Sequence, residues 1–198
     1  GSVRTNLSNP SWTDETPFEK ANNQNRLDKM DRYHEGVLGG PLQRGKVWFF
    51  AAGRTQSTSA NLTLPQTAAP FEQSEDAHRW ELKLTATPWA NQTLQGQYTR
   101  RTQSGVRPSI PITIDPNASD DVEQPGSLLV ANWSGVVSDR MFATAQYSRK
   151  ENHPRFGNRS TTITDSPFLT IGRVSPGGLH FNAPYFDRTD PEDRDNYQ

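Results

Sequence analysis

The chain of 198 residues has no cysteine, no long apolar run, no excess of either charge and few apolar residues, and each absence removes a class of protein. Without cysteine there are neither disulfides nor thiolate metal sites, which argues against a small secreted domain held by crosslinks. No stretch approaches the roughly 18 apolar residues of a membrane-spanning helix. A net charge of −1, from 21 basic and 22 acidic residues, gives no electrostatic case for nucleic acid. Only 31% of the residues are hydrophobic, against about 45–50% in ordinary soluble domains. A two-layer core would be hard to fill, whereas a sheet with one apolar face needs less. The N-terminus carries no signal peptide, so the sequence reads as a mature or internal region.

What is present is alternation. Trp80, Leu82, Leu84 and Ala86 take one side of a strand, and Glu81, Lys83 and Thr85 take the other. After Thr87–Gln92, the pattern repeats with Leu94, Gly96 and Tyr98 against Thr93, Gln95, Gln97 and Thr99. A second hairpin sets Leu129, Ala131, Trp133 and Gly135 beside Met141, Ala143, Ala145 and Tyr147. The most apolar segment, Lys46–Arg54, has Val47, Phe49, Ala51 and Gly53 in one row, while Trp48 and Phe50 leave its facing open. Period-two strands with one uncharged side call for an apolar medium on that side only.

The connections alternate in length. Short turns fall near 41–45, 87–92 and 137–140, and long polar loops near 8–33, 55–77, 101–125 and 150–166. Short strands are expected near 34–40 and 168–174, and the acidic end from Asn182 to Gln198 shows no apolar periodicity. Loops above about 12–15 residues are uncommon in compact soluble domains. Outer-membrane barrels, by contrast, pair short periplasmic turns with long outer loops. The expected fold is therefore all-β: an antiparallel transmembrane β-barrel segment of about seven or eight strands. Trp80, Leu82, Leu84, Leu94, Tyr98, Leu129, Trp133, Met141 and Tyr147 would face lipid. Glu81, Lys83, Gln95 and Gln97 would face a wet lumen.

The stretch Leu38-Gly39-Gly40-Pro41-Leu42-Gln43-Arg44-Gly45-Lys46-Val47-Trp48-Phe49-Phe50 resembles the GGP(I/L)xxxKLWFF hairpin of TonB-dependent outer-membrane receptors, most closely the Oar-like group. Gly1–Arg4 through Asn9–Trp12 is similar to the segment that begins their barrel. Tyr147–Glu151 is similar to a later strand end, and Phe181–Asp187 to a loop motif after it. The resemblance implies a piece of a larger barrel, of about 22 strands, in the outer membrane of a Gram-negative bacterium. It implies transport of a large or scarce ligand, with the TonB–ExbB–ExbD complex as partner through a plug domain. The sequence departs from the family in having no plug, no TonB box and no C-terminal aromatic residue, so residues 1–198 are expected to be an early barrel segment.

Other chemistry is thin. Acidic clusters at Asp115, Asp120, Asp121 and Glu123, and at Asp187, Asp190, Glu192, Asp193 and Asp195, lack the spacing of a calcium loop. Solvated charge is the better reading, with loop calcium the weaker one and no other cofactor indicated. His34, His78, His153 and His180 form no ligand pair, and no nucleophile elbow or phosphate loop occurs. An enzyme is not expected. Six Asn-x-Ser/Thr sequons favour a secreted glycoprotein, but Asn132 falls in an expected strand and Asn91 in a tight turn. Two other functions stay open: a soluble β-sandwich adhesin or carbohydrate-binding module, and a small self-contained barrel with a structural role.

Overall fold

The expected strands that fall on described residues form, and they run well past the alternation that announces them. The computed structural model describes residues 1–21, 26–64, 67–107, 120–158 and 187–198. In it the chain makes β1 (Ser2–Ser8), β2 (Asp31–Gln43), β3 (Val47–Thr63), β4 (Pro70–Ala86) and β5 (Gln92–Arg107). There follow β6 (Asp120–Glu123), β7 (Gly126–Ser138), β8 (Met141–Asn152), β9 (Arg155–Asn158), β10 (Asp187–Thr189) and β11 (Glu192–Tyr197). All belong to one antiparallel sheet. Among the described residues, helix is confined to one 3-10 turn, Pro10–Trp12, and to α1 (Pro17–Ala21).

All four long connections contract, the one at 8–33 least, to 9–30. Residues 55–63 and 70–77 belong to β3 and β4, so the supposed loop at 55–77 becomes a hairpin that turns within 64–69. The start of the 101–125 loop is the end of β5, and its last part is β6. The 150–166 loop gives up its first residues to β8 and β9. The acidic end also becomes strand, because β11 pairs with β8 from Glu192↔Asn152 to Tyr197↔Tyr147. These segments are rich in Ser, Thr, Gln or charge, and they lack the one-sided apolar pattern that marks a half-buried strand. Neighbouring strands supply the backbone partners instead. The strand expected near 168–174 lies outside the described residues.

Prolines explain why some strands are split. β6 and β7 form one path broken at Gln124–Pro125, β8 and β9 another broken at His153–Pro154, and β10 and β11 a third broken at Asp190–Pro191. The three breaks lie side by side. The His153 N–H donates to the Pro125 carbonyl at 3.0 Å, and the Asp190 N–H donates to the Pro154 carbonyl at 3.1 Å. No bond can return, because proline has no N–H to give the ladder. Eleven strands with three such joints leave eight continuous paths, ordered along the sheet as along the chain. Among the described residues, β1 at one edge does not pair with β10 or β11 at the other, and the sheet is open.

The turns at the short-connection end are tight: 44–46, 87–91 and 139–140. Gly45 holds φ +76 and Asn91 φ 65, the left-handed region that glycine and asparagine tolerate best. At the opposite end, residues 9–30 are organised by side chains. Thr16 and Glu19 form a reciprocal capping box at the start of α1, with Thr16 N–H donating to Glu19 Oε2 at 2.6 Å and Glu19 N–H to Thr16 Oγ1 at 3.3 Å. Arg26 forks onto both Glu19 oxygens at 2.9 and 2.6 Å and also donates to the Thr13 carbonyl at 2.7 Å. The hydrogen bonds from Arg26, then those from Thr16, hold the Glu19 carboxyl down at about 2. Asp28 is likewise lowered by donors on Asn9 and Ser11.

Candidate functional site

The register decides which side chains share a face, because directly opposed residues in an antiparallel pair point the same way. Leu82 lies between Ala51 and Tyr98, and Tyr98 lies opposite Leu129. One row closer to the short turns, Phe49, Leu84, Gly96, Ala131 and Tyr147 follow in line. The next row is Val47, Ala86, Leu94, Trp133 and Ala145. So Trp80, Leu82, Leu84, Leu94, Tyr98, Leu129, Trp133 and Tyr147 fall on one face. Met141 begins β8 in phase with Tyr147. Glu81, Lys83, Gln95 and Gln97 lie together on the other face. Trp48 and Phe50, whose facing the sequence leaves open, belong to that polar face: Trp48 opposes Thr85 and Phe50 opposes Lys83.

Exposure runs opposite to that of a soluble sheet. Trp80 is 58% exposed and Leu82 48%, and Leu84, Leu94, Tyr98, Leu129 and Met141 are exposed as well. Glu81, Lys83, Gln95 and Gln97 are only intermediate. This is the pattern of a sheet curled toward its polar side. No described element covers the apolar face. Gly36, Ala51 and Gly53 leave a trough of about 730 Å³ in it, bordered by Leu38, Trp80 and Tyr98. The Trp80 indole lies across Gly53, where a Cβ would come within 2.5 Å of the ring. Glycine there admits the ring, and the ring in turn covers the bare backbone.

The polar handles on the apolar face sit at its margins. Trp133 donates its indole N–H to Gln92 Oε1 at 2.6 Å, beside the short turn 87–91. Tyr147 packs its ring against Tyr197 at 5.2 Å and donates to Asp195 at 2.9 Å. One row further from the turns the face becomes charged, with Arg149 paired to Glu151 at 2.9 Å. Between these limits, from Val47 to Gly53 on β3 and from Trp80 to Ala86 on β4, the face carries no charge.

Past Trp80 the faces exchange character. On the side that was apolar, β4 now presents His78, Asp76, Ser74 and Glu72, and β3 presents Thr55, Ser57 and Ser59. On the side that was polar, Phe71 is 2% exposed and Val122 is buried too, opposite Phe156. Leu64, at the hairpin tip, is fully buried. These three are the buried hydrophobic residues of the described chain.

The acidic clusters do not converge. Asp190 pairs with Arg188 at 2.8 Å, Glu192 with Lys150 and Arg194, and Asp193 with His153 at 2.9 Å. Among the described residues no group of three or more His, Asp or Glu side chains is placed to hold a metal. Asp115 and His180 lie outside the described residues. The sequence reading missed one constellation: Arg54, Arg79 and Arg101 stand directly opposite one another on the polar face. No spacing rule could have found it, because the residues come from three strands and meet only through their register. Comparison with family models, with curated proteins and with solved structures finds no match to this chain.

Proposed function

We propose that this sheet is part of the wall of an outer-membrane β-barrel, and that it serves as an early barrel segment of a TonB-dependent receptor of the Oar-like kind. The observation that carries the reading is the uncovered apolar face, charge-free on β3 from Val47 to Gly53 and on β4 from Trp80 to Ala86, with Arg100 and Arg149 marking its far border on β5 and β8. Burying a Leu or Met side chain fully is worth about 1.5–3 kcal/mol. Leaving Leu82, Leu84, Leu94, Leu129 and Met141 half exposed in water therefore forgoes on the order of 5 kcal/mol, before Trp80 and Tyr98 are counted. That is comparable to the whole stability of a small domain, about 5–15 kcal/mol. Hydrocarbon against that face recovers it. Short turns at one end, the 9–30 connection at the other, and Trp133 near the margin of the band agree with such a wall. The family assignment rests on the Leu38–Phe50 hairpin and on three further segments that resemble the same family in its order. Under this reading Glu81, Lys83, Gln95 and Gln97 line the lumen. A plug outside this chain would engage the TonB–ExbB–ExbD complex, and the cargo is a large or scarce ligand.

Two tryptophans on opposite faces of adjacent strands provide the test. In single-tryptophan variants of the full chain in micelles of brominated detergent, Trp80 should be strongly quenched and Trp48 spared. Equal quenching of both, or a monodisperse chain that needs no detergent, would instead favour a soluble β module and sink the proposal.

A further inference from the structure

The three arginines noted above are an unusual thing for a sheet to put together. Arg54 on β3 opposes Arg79 on β4, and Arg79 opposes Arg101 on β5. The row continues through Glu35 to Arg4 at the β1 edge. Adjacent strands are about 4.8 Å apart, so three guanidinium stems rise from neighbouring backbones on one face. Like charges directly opposed across a ladder are destabilising. Nothing nearby neutralises them in full. Glu81 pairs with Arg79 at 3.2 Å but also accepts from Gln97 at 3.3 Å. Glu35 accepts the Tyr33 hydroxyl. Among the described residues, the side chains of Arg54 and Arg101 have no ion pair or hydrogen bond, and both residues are exposed. Lys83 adds another positive charge on the same face.

We propose that Arg54, Arg79 and Arg101 form a binding site for a multivalent oxyanion of the diphosphate or polycarboxylate class. Guanidinium presents a planar fork of donors that matches carboxylate and phosphate oxygens two at a time. A row of such forks at strand spacing suits a ligand whose negative groups repeat over a few ångströms. Gln56 and Gln103, one row further from the short turns on the same face, can donate or accept at the ligand's rim. The inference depends only on the register of β3, β4 and β5, and it holds whatever medium covers the opposite face.

The test is calorimetric titration of the full chain with inorganic pyrophosphate at low and at high salt, in detergent if the chain requires it. Saturable binding that weakens with salt is expected. Arg54→Gln and Arg101→Gln should each weaken it about 10-fold or more, the scale of one charge-assisted contact. Arg140→Gln, in the short turn between β7 and β8, should leave it unchanged. A second readout separates ligand binding from a structural role. Without ligand, Arg101→Gln should unfold at the same or a higher temperature, because it relieves repulsion. A lowered midpoint would mean that the arginines hold the sheet together, and the proposal would fail. It would also fail if pyrophosphate did not bind at low salt, the outcome expected if an acidic protein segment occupies the ladder, or if the ladder variants bound it as tightly as the parent.

Discussion

Strand β4 has two halves that solve opposite problems. From Trp80 to Ala86 its large apolar side chains point to one face and stay exposed, while Glu81 and Lys83 on the other face are half-buried. From Pro70 to Arg79 the arrangement turns over: Asp76 and Glu72 occupy the first face, and Phe71 is buried on the second. One continuous strand keeps strict alternation throughout, so the change lies in the surroundings that each half expects. On the barrel reading proposed above, the half near the short turns meets an apolar medium outside the sheet. The far half carries polar side chains on that face and buries Phe71 on the other.

Phe71→Ala probes the far half most severely. It removes a buried ring and should cost about 3–5 kcal/mol, read as a lower midpoint in denaturant unfolding. An effect below about 1 kcal/mol would mean that the ring is not part of a core. Leu82→Arg probes the near half. If hydrocarbon covers that face, the charge should cost about 2–4 kcal/mol in a bilayer. His78→Arg, two rows further from the short turns on the same side of β4, should change stability by no more than about 0.5 kcal/mol, as at an ordinary exposed site. Equal, small effects at both positions would erase the contrast between the halves.

The gentlest test is pH. The Glu19 carboxyl is held at about 2, below its ordinary 4.5. A lowered folded value means that its stabilisation of residues 9–30 is present above about pH 4.5 and is lost as pH falls toward 2. Trp12 fluorescence, in a variant retaining only that tryptophan, should therefore change across this window. Glu19→Gln should flatten the change.

Much of the near half was legible in the sequence. The rows Trp80–Ala86, Leu94–Tyr98, Leu129–Gly135 and Met141–Tyr147 were readable because each strand carries its large apolar residues on alternate positions, and the register brings these rows into line. The far half was hidden for a definite reason. Along β4 the apolar residues sit at even positions from Trp80 to Ala86 and then at odd ones, Ala77 and Phe71. A pattern that changes phase and then fills with Ser, Thr and Gln no longer looks like a strand. The acidic stretch Glu192–Tyr197 was hidden for another reason: it is held by backbone bonds to β8, and it has no apolar face to announce itself.

The sequence by itself determined that this protein would be made of antiparallel strands with unlike faces, and which side chains near the short turns would share a face, because period-two alternation is a local property of the extended chain. Only the tertiary structure decided how far each strand runs, where the faces exchange roles, that three prolines align into one seam, and that Arg54, Arg79 and Arg101 become neighbours. Each of these depends on which strand lies beside which and at what offset, a relation between residues distant in the chain that no local pattern encodes.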